Sequence, residues 1–223
     1  MWVFFRTGDG FMVRFIIVRH GFSAGNKEKR YSGQRDVPLD EVGIKQAEAA
    51  AEYICKNFEV DSIYSSDLCR AYDTALPIAK KTGLTVTKLK DLREIYMGYW
   101  QGLSREEVAE RFPETFEISR KTPGIIRFDG GESYKEAQER AISAFERIAE
   151  ENQGKTVVVA THGGIIRAVR TAWEGVPIDR LHEIPDTSNA SITVAEYTDG
   201  KVIFIKKGYN GHLEDTTSED DVK

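Results

Sequence analysis

The chain has 223 residues, a net charge of −5 and a hydrophobic fraction of 40%, enough for one sizeable α/β domain or two small ones. The negative charge gives no sign of a nucleic-acid surface, and two cysteines are too few for the disulfide framework of a secreted protein. The apolar runs are far shorter than the ~20 residues that cross a membrane, and Arg6 and Asp9 interrupt the aromatic start before a signal peptide could form. We therefore expect a cytoplasmic protein without a membrane partner.

Strands and helices alternate along the first part of the chain. Residues 13–18 are predicted to form a buried strand, because apolar residues dominate there without strict alternation. Asp40 is predicted to cap a helix. Its apolar residues recur at helical spacing, namely Ile44, Ala47, Ala51, Ile54 and Phe58. A second strand is expected at 62–65, followed by a helix over 67–81 that Pro77 kinks or shortens.

Two capping boxes mark helices in the middle of the chain. Ser104 with Glu107 predicts a helix that runs to about residue 112, and Ser133 with Glu136 predicts a longer one. The residues between the two helices show no clear period, so we expect a loop there.

A strand at 156–160, a helix at 164–173 and two strands at 191–196 and 201–206 complete the pattern. Strands that alternate with helices, without a Pro- or Ser-rich linker, predict one three-layer α/β/α domain with a mostly parallel sheet. Residues 95–132 would form a small lid inserted over its active edge.

The ends of the chain differ in character from the middle. Met12 stands directly before the first predicted strand, so residues 1–11 are expected to be an N-terminal extension and 12–208 the folded domain. Residues 209–223 are acidic and poor in large apolar side chains, which predicts a mobile tail.

Two of the four histidines follow apolar runs directly, in RFIIVRHG and TVVVATHGG. Ligands of open parallel sheets bind just beyond the carboxyl ends of the strands. His20 and His162 both occupy that place, so they meet if their strands are neighbours. One such histidine alone is more often structural, but a pair in matching contexts favours a functional site.

Arginines accompany both histidines. Arg19 precedes His20, and Arg70 falls in the first turn of the predicted helix after SIYSSD. Helix N-termini favour anions, and guanidinium forks pair well with phosphate oxygens. With polar loop residues such as Asn26 and Ser32, these side chains predict a phosphate pocket.

Two other chemistries compete for the same histidines. A zinc site is disfavoured because HExxH and CxxC are absent and no Asp-rich cluster lies near either histidine. Acid–base attack on a phosphodiester, with no covalent step, stays open at this point.

Six motifs carry a resemblance to a known family, namely VRHGFSAGN, RYSGQRDVPLDEVGIKQA, SSDLCRAYDTA, LREIYMGYWQG, GGES and THGG. In this order they resemble the histidine phosphatase superfamily, in the phosphoglycerate mutase-like branch that includes broad-specificity and α-ribazole-type phosphatases. The resemblance covers residues 13–204. It implies a phosphoglycerate mutase-like fold and a phosphatase that hydrolyses a small phosphorylated metabolite without metal or cofactor. A homodimer is left open.

The resemblance also implies roles for individual residues. His20 would be the nucleophile and form a phosphohistidine. Arg19, Arg70 and His162 would hold the phosphoryl oxygens, which is mostly a positioning and electrostatic task. Glu94 would protonate the leaving alkoxide and then activate water. The other implied pocket residues are Asn26, Ser32, Gly33 and Gly163.

Departures from the family pattern favour a phosphatase over a mutase. The mutases carry an arginine after the acidic residue, whereas here Ile95 follows Glu94. Their insertion is also longer and more basic, although Arg120, Lys121 and Arg127 are available here to meet a carboxylate. A 2,3-bisphosphoglycerate-dependent phosphoglycerate mutase is therefore the first alternative.

A non-catalytic phosphate-binding module is the second alternative. It predicts the loss of a catalytic group, but all five are present, namely Arg19, His20, Arg70, Glu94 and His162. Of the remaining candidates, Cys69 is predicted to be a packing residue. Asp129 and Glu132 are expected either to support the pocket or to cap the following helix, and the cap is favoured.

Overall fold

The computed structural model describes residues 6, 7 and 10–214 of the chain. Within the expected N-terminal extension, β1 (Arg6–Thr7) pairs with β2 (Gly10–Phe11) in a small antiparallel sheet that is separate from the main one. The rest of the extension, and residues 215–223 of the expected tail, lie outside the described residues.

Six further strands form the main sheet: β3 (Val13–Arg19), β4 (Ser62–Ser66), β5 (Val86–Leu89), β6 (Thr156–Thr161), β7 (Ile192–Thr198) and β8 (Lys201–Tyr209). Their order is β5-β4-β6-β3-β7-β8. The first four are mutually parallel, whereas β7 and β8 are antiparallel to their neighbours. The mostly parallel α/β sheet is confirmed, and it gains β5, a four-residue edge strand that was not predicted.

Seven α-helices surround the sheet in the described part: α1 (Ala24–Lys27), α2 (Glu41–Asn57), α3 (Cys69–Thr82), α4 (Arg105–Arg111), α5 (Pro113–Lys121), α6 (Tyr134–Glu151) and α7 (Gly163–Trp173). Short 3₁₀ helices lie at Lys90–Leu92, Gly98–Trp100, Pro123–Ile125, Ile178–Glu183 and Gly211–Leu213. Helices α2 and α3 cover one face of the sheet, and α6 and α7 cover the other.

The alternation of side chains along β3 feeds two cores. Ile16 and Val18 pack in the cluster that contains residues of α2 and α3. Phe15 and Ile17 pack in the cluster that contains residues of α6 and α7. Because successive side chains of a strand point to opposite faces, an almost entirely apolar strand is explained by burial on both sides.

The structure corrects one detail of the predicted helices and confirms another. Ile44, assigned to the buried face of α2, is 55% exposed, and the buried positions there begin at Gly43 and Gln46. Helix α3 runs through Pro77 to Thr82, close to the predicted end at residue 81. Packing of its next turn, where Ile78 is fully buried, offsets the one hydrogen bond that proline removes.

The 95–132 segment contains both an expected and an unexpected helix. Helix α4 begins at the predicted capping box of Ser104 and Glu107. Helix α5 follows at Pro113–Lys121, where no repeat of apolar residues was found in the sequence. None of its residues is buried, so no run of buried apolar positions marks the helix in the sequence. Trp100 fixes the segment to the α6/α7 core and is 1% exposed.

The packed domain extends beyond residue 208, where the sequence placed its boundary. β8 runs to Tyr209, and Leu213 in the following 3₁₀ helix is buried. The His212 ring stacks on Tyr53 of α2 at 5.4 Å. None of the described helices has the length and apolar character needed to cross a membrane.

Candidate active site

The two strand-end histidines meet at the carboxyl edge of the sheet. β3 and β6 are parallel neighbours, with Arg19 opposite Thr161. His20 and His162 follow directly, and their ring centroids are 5.2 Å apart. The predicted site required these two strands to be neighbours, and the order of the sheet meets this requirement.

His20 is held as a neutral ring with one free nitrogen. Its Nδ1 lies 2.7 Å from the carbonyl oxygen of Gly21; a carbonyl can only accept, so Nδ1 carries the hydrogen and Nε2 keeps a lone pair. Burial, reinforced by the charges of Arg70 and Arg19, holds the pKa of His20 well below its ordinary value. The ring is thus uncharged at neutral pH, with a lone pair on Nε2.

His162 lies at the junction of β6 and α7 and is fully buried. Its Nε2 is 2.9 Å from Oγ of Ser66 at the end of β4. Burial, followed by the charge of Arg70, holds the pKa of His162 well below its ordinary value. The N-terminus of α7 begins at the next residue, which favours an anion beside this ring.

Arg70, in the first turn of α3, is 1% exposed. Its Nη1 donates to the carbonyl of Arg35 at 2.8 Å and its Nη2 to the carbonyl of Gly33 at 2.7 Å. Thr74 connects the same helix to the loop after His20, because it donates to the Arg70 carbonyl and accepts from the N–H of Gly21. These bonds fix the guanidinium plane before any ligand enters.

Arg19 approaches the site from the end of β3. Its Nη1 donates to the carbonyl of Thr187, and its guanidinium packs against Gly163, where a Cβ would lie 3.2 Å from both Nε and Cζ. Burial lowers the pKa of Arg19 and of Arg70, and the charge of Glu94 counteracts this in both. The two cations and the carboxylate therefore share one electrostatic environment.

Glu94 faces the N-terminus of α7. Its Oε1 accepts from the N–H of Ile95 at 2.9 Å and its Oε2 from the N–H of Gly164 at 3.2 Å. A Cβ at position 164 would lie 2.5 Å from Oε1, so glycine is required for this close approach. The predicted acid thus lies beside the helix that follows His162.

The remaining predicted pocket residues lie in the loops around these side chains. Asn26 uses its Oδ1 to accept from the backbone N–H and the hydroxyl of Ser23, in the capping box of α1. Ser32 packs closely against Gly25, since a Cβ there would lie 2.1 Å from its Oγ. Gly33 has a φ of +51° and offers its carbonyl to Arg70.

Three buried nitrogens point to what this space accepts. Within the described part of the chain, Nε of Arg19, Nε of Arg70 and Nδ1 of His162 are buried without a hydrogen-bond partner. An unpaired buried donor is costly. The two Nε–H groups are donors, and Nδ1 of His162 is a donor in the tautomer whose Nε2 accepts from Ser66; these are groups to which an oxyanion binds. No group of three His, Cys, Asp or Glu side chains suited to a metal ion occurs among the described residues.

The structure does not give Glu132 the capping role that was predicted. Ser133 and Glu136 cap α6 between themselves. Glu132 instead accepts from the guanidinium of Arg140 and from the backbone N–H of Tyr96. Arg140 lies eight residues further along the chain and Tyr96 lies 36 residues before Glu132, so neither partner belongs to the capping pattern around GGES, which favoured the wrong interpretation.

The basic side chains expected to meet a carboxylate are already paired. Arg120 and Lys121 both lie against Glu117, and Arg127 forms an ion pair with Glu136 at 2.5 Å. None of the three remains as an unpaired cation at the pocket.

The surroundings of Cys69 disfavour its thiolate. Burial, reinforced by the neighbouring Asp36, raises the pKa of Cys69 to about 12. The thiol therefore stays protonated at neutral pH. The side chain is only partly buried, so its packing role stays a prediction.

Sequence reasoning missed Asn189, which contacts the backbone of His20. Its Nδ2 donates to the carbonyl of His20 at 3.0 Å and approaches the carbonyl of Gly21 and Oδ1 of Asn26 at 3.3 Å. The N–H of Ala190 donates to the same His20 carbonyl. The surrounding DTSNAS indicates only a polar turn before β7, so no local signal connects it with His20, 169 positions away.

Comparisons with known proteins agree with this geometry. A sequence model described as "Histidine phosphatase superfamily (branch 1)" matches residues 15–209. The chain is 35% identical over 216 residues to "Metal-independent phosphoserine phosphatase" of Arabidopsis thaliana, covering 90% of this chain and 89% of that protein. It is 36% identical over 202 residues to "Phosphoserine phosphatase 1" of Hydrogenobacter thermophilus, covering 91% and 95%.

A solved structure with a similar fold is Bacillus stearothermophilus YhfR. It superposes with a TM-score of 0.86 at 28% identity and covers 91% of this chain and 100% of that one.

Proposed function

Because the chain belongs to the histidine phosphatase superfamily, branch 1, we propose that it hydrolyses small phosphomonoesters through a phosphohistidine at His20. Its family and its relatives identify it as a phosphatase of the histidine-phosphatase type. The covalent route, the roles of the site residues and the substrate are our proposals.

The first step transfers the phosphoryl group from substrate to enzyme. Nε2 of His20 attacks phosphorus, the bond to the ester oxygen breaks, and protonated Glu94 gives its proton to the departing alkoxide. The ring becomes a phosphorylated imidazolium, whose Nδ1–H stays bonded to the Gly21 carbonyl. Arg19, Arg70 and His162 stabilise the charge on the equatorial oxygens.

The second step returns the enzyme to its starting state. The Glu94 carboxylate takes a proton from water, the water oxygen attacks phosphorus, and the P–N bond breaks. The bonding electrons return to Nε2 of His20, and the products are inorganic phosphate and protonated Glu94. No redox change or co-reactant is required.

The observation that carries this proposal is the combination of a neutral nucleophile with unpaired donors. The lone pair of His20 is set by the hydrogen bond of its Nδ1, and three buried nitrogens of Arg19, Arg70 and His162 lack partners. A single tetrahedral or trigonal-bipyramidal phosphorus group would satisfy both requirements.

No observation favours the mutase alternative. Ile95, at the place where mutases carry an arginine, is fully buried in the α6/α7 core. The 95–132 segment offers three basic side chains as candidates to bind a second phosphate or a carboxylate, namely Arg120, Lys121 and Arg127. Each of them forms an ion pair with Glu117 or Glu136. A bisphosphate primer would therefore find little extra charge.

We also propose that residues 95–132 cover the pocket as a lid. Gln101 of this segment accepts from the N–H of Gln34 at 2.6 Å, and a Cβ at Gly33 would lie 2.3 Å from its Oε1. The segment therefore touches the loop that Arg70 holds. Substrate size is expected to depend on these contacts.

A rapid-quench experiment tests the covalent route. EDTA-treated protein is mixed with 4-nitrophenyl phosphate, quenched in base and digested for peptide mass analysis. We expect an acid-labile, base-stable phosphate on the peptide that contains His20, and none in His20→Ala. A substrate panel that starts with phosphoserine, because two relatives bear that name, identifies the leaving group.

Each outcome decides between the candidates. Turnover without an adduct, in protein that retains the His20 ring, would indicate direct attack by water. Tight binding of phosphate esters without turnover would indicate a binding module, and phosphoglycerate interconversion dependent on 2,3-bisphosphoglycerate would indicate a mutase.

A further inference from the structure

The loop that carries Glu94 is held by one arginine of α6. Nη1 of Arg140 donates to the carbonyls of Asp91 and Arg93 at 2.7 and 2.8 Å, and Nη2 donates to the carbonyl of Glu94 at 3.0 Å. Nε and Nη2 also donate to Glu132, at 3.0 and 2.6 Å. These are five contacts, as many as the N–H groups of a guanidinium. Three of them are with carbonyls of this loop and two are with Glu132.

Glu132 completes the arrangement from the other side. Both of its oxygens contact the Arg140 guanidinium, and Oε1 also accepts from the N–H of Tyr96 at 2.8 Å. The ion pair is largely shielded, with side-chain exposures of 20% and 18%. The pair therefore fixes the backbone before Glu94 and after it.

The position of the Glu94 carboxylate depends on this backbone. Its two oxygens are held by the N–H groups of Ile95 and Gly164, not by another side chain. The Ile95 N–H belongs to the same peptide unit as the Glu94 carbonyl that Arg140 binds. A rotation of that peptide would move the carbonyl and the N–H together, and the carboxylate with them.

We propose that Arg140 and Glu132 are positioning residues for the general acid Glu94. They hold the Glu94 peptide so that the carboxyl group reaches the leaving oxygen of the substrate. The inference rests on the proposed function, in which Glu94 is the proton donor. A misplacement of about 1 Å can cost roughly 100-fold in rate, so a pair outside the phosphate pocket can still govern the proton-transfer step.

Leaving-group dependence separates positioning from simple structural support. A poor leaving group such as phenoxide needs the proton in the transition state, whereas 4-nitrophenoxide departs with little help. Loss of acid positioning should therefore slow phenyl phosphate more than 4-nitrophenyl phosphate. A general loss of folded protein would slow both equally.

The experiment compares kcat/KM for the two esters in the full chain. In Arg140→Met and Glu132→Gln we expect phenyl phosphate to lose about 10-fold more activity than 4-nitrophenyl phosphate. Glu132→Gln keeps the side-chain shape and serves if Arg140→Met does not fold. The matched control is Arg147→Met, on the same helix, whose guanidinium bonds only the Asp91 side chain at 2.6 Å and is exposed; its ester ratio should equal that of the wild type.

Glu94→Gln provides the benchmark. If it shows the skewed ratio and the folded Arg140 and Glu132 variants do not, the positioning role is overturned while the proposed function stands. If Glu94→Gln itself keeps the wild-type ratio, Glu94 is not the acid, and its proposed role fails together with this inference; the phosphohistidine at His20 is decided separately by the rapid-quench experiment.

Discussion

The reactivity of His20 depends on one proton. The Gly21 carbonyl keeps that proton on Nδ1, and the carbonyl of His20 is itself held by Asn189 and Ala190. The backbone on both sides of the ring is thus immobilised, which limits the reorganisation needed in the transition state. The same burial that keeps the ring neutral has a cost that can be measured.

We predict that stability falls as the pH drops below 6.5. Burial holds the pKa of both His20 and His162 well below the ordinary value of 6.5, so in this range the unfolded chain binds protons that the folded chain does not. For each histidine, the free energy of unfolding therefore falls by up to about 1.4 kcal/mol for each unit by which the pH is lowered, until the pH reaches the pKa of that histidine in the folded protein.

Urea unfolding between pH 5 and 8 measures this slope. His20→Asn, which cannot titrate, should flatten the dependence relative to the wild type. Parallel curves for the two proteins would show that His20 is not buried neutral.

Arg70→Lys should lower kcat/KM by at least about 100-fold, because an ammonium cannot bind two backbone carbonyls and a phosphoryl oxygen in one plane. The inhibition constant of inorganic phosphate should rise with it. Arg147→Lys, an equivalent change at an exposed site, should leave both constants unchanged. Near-normal phosphate inhibition in Arg70→Lys would remove Arg70 from the phosphate ligands.

At the scale of elements, the 95–132 segment joins the site to the core. Trp100 packs against Tyr31, Phe112, Phe116 and Phe128. Ile95 and Leu92 belong to the same cluster and flank Glu94 in sequence. Packing of this segment therefore bears on the loop of the proposed acid as well as on stability.

Trp100→Ala is predicted to lower the free energy of unfolding by about 3–5 kcal/mol, as expected for loss of a large buried ring. Trp100→Phe should cost less than half as much, because the indole N–H is buried without a partner and its removal costs nothing. Chemical denaturation of the three proteins measures both values. Equal losses in the two variants would show that the N–H is satisfied.

The sequence predicted the elements whose signals are local. β3 and β6 each have a continuous apolar centre, and the glycines after each histidine mark the strand ends where the predicted pocket lies. α5 and β5 were missed, because neither has a buried face that repeats along the chain. The roles of Glu132 and Asn189 were missed because they depend on partners outside the local pattern. Glu132 binds the N–H of Tyr96, 36 positions away, and Asn189 binds the carbonyl of His20, 169 positions away.

At the scale of the whole molecule, one sheet joins the two hydrophobic cores. Ligand binding at the edge of this sheet should therefore stabilise both cores against unfolding. Orthovanadate mimics the trigonal-bipyramidal phosphorus of the transition state. At 100 times its Kd it should add about 2.7 kcal/mol to the unfolding free energy, or roughly 5–11 °C in Tm for a chain of this size.

Differential scanning calorimetry tests this shift, on protein that has been treated with EDTA and then freed of it, because EDTA chelates vanadate. Arg70→Lys should show a much smaller shift at the same concentration. An equal shift in both proteins would place vanadate elsewhere on the molecule.

The central position of β3 has a consequence for synthesis on the ribosome. Its two neighbours, β6 and β7, begin only at Thr156 and Ile192. Both edges of β3 therefore stay unpaired until more than half of the chain has been synthesised. Such long-range pairing closes slowly and exposes aggregation-prone surface. His20, the proposed nucleophile, is therefore translated early, yet a chain that ends before His162 contains only part of the proposed site. We expect nascent chains that end before β6 to depend on chaperones.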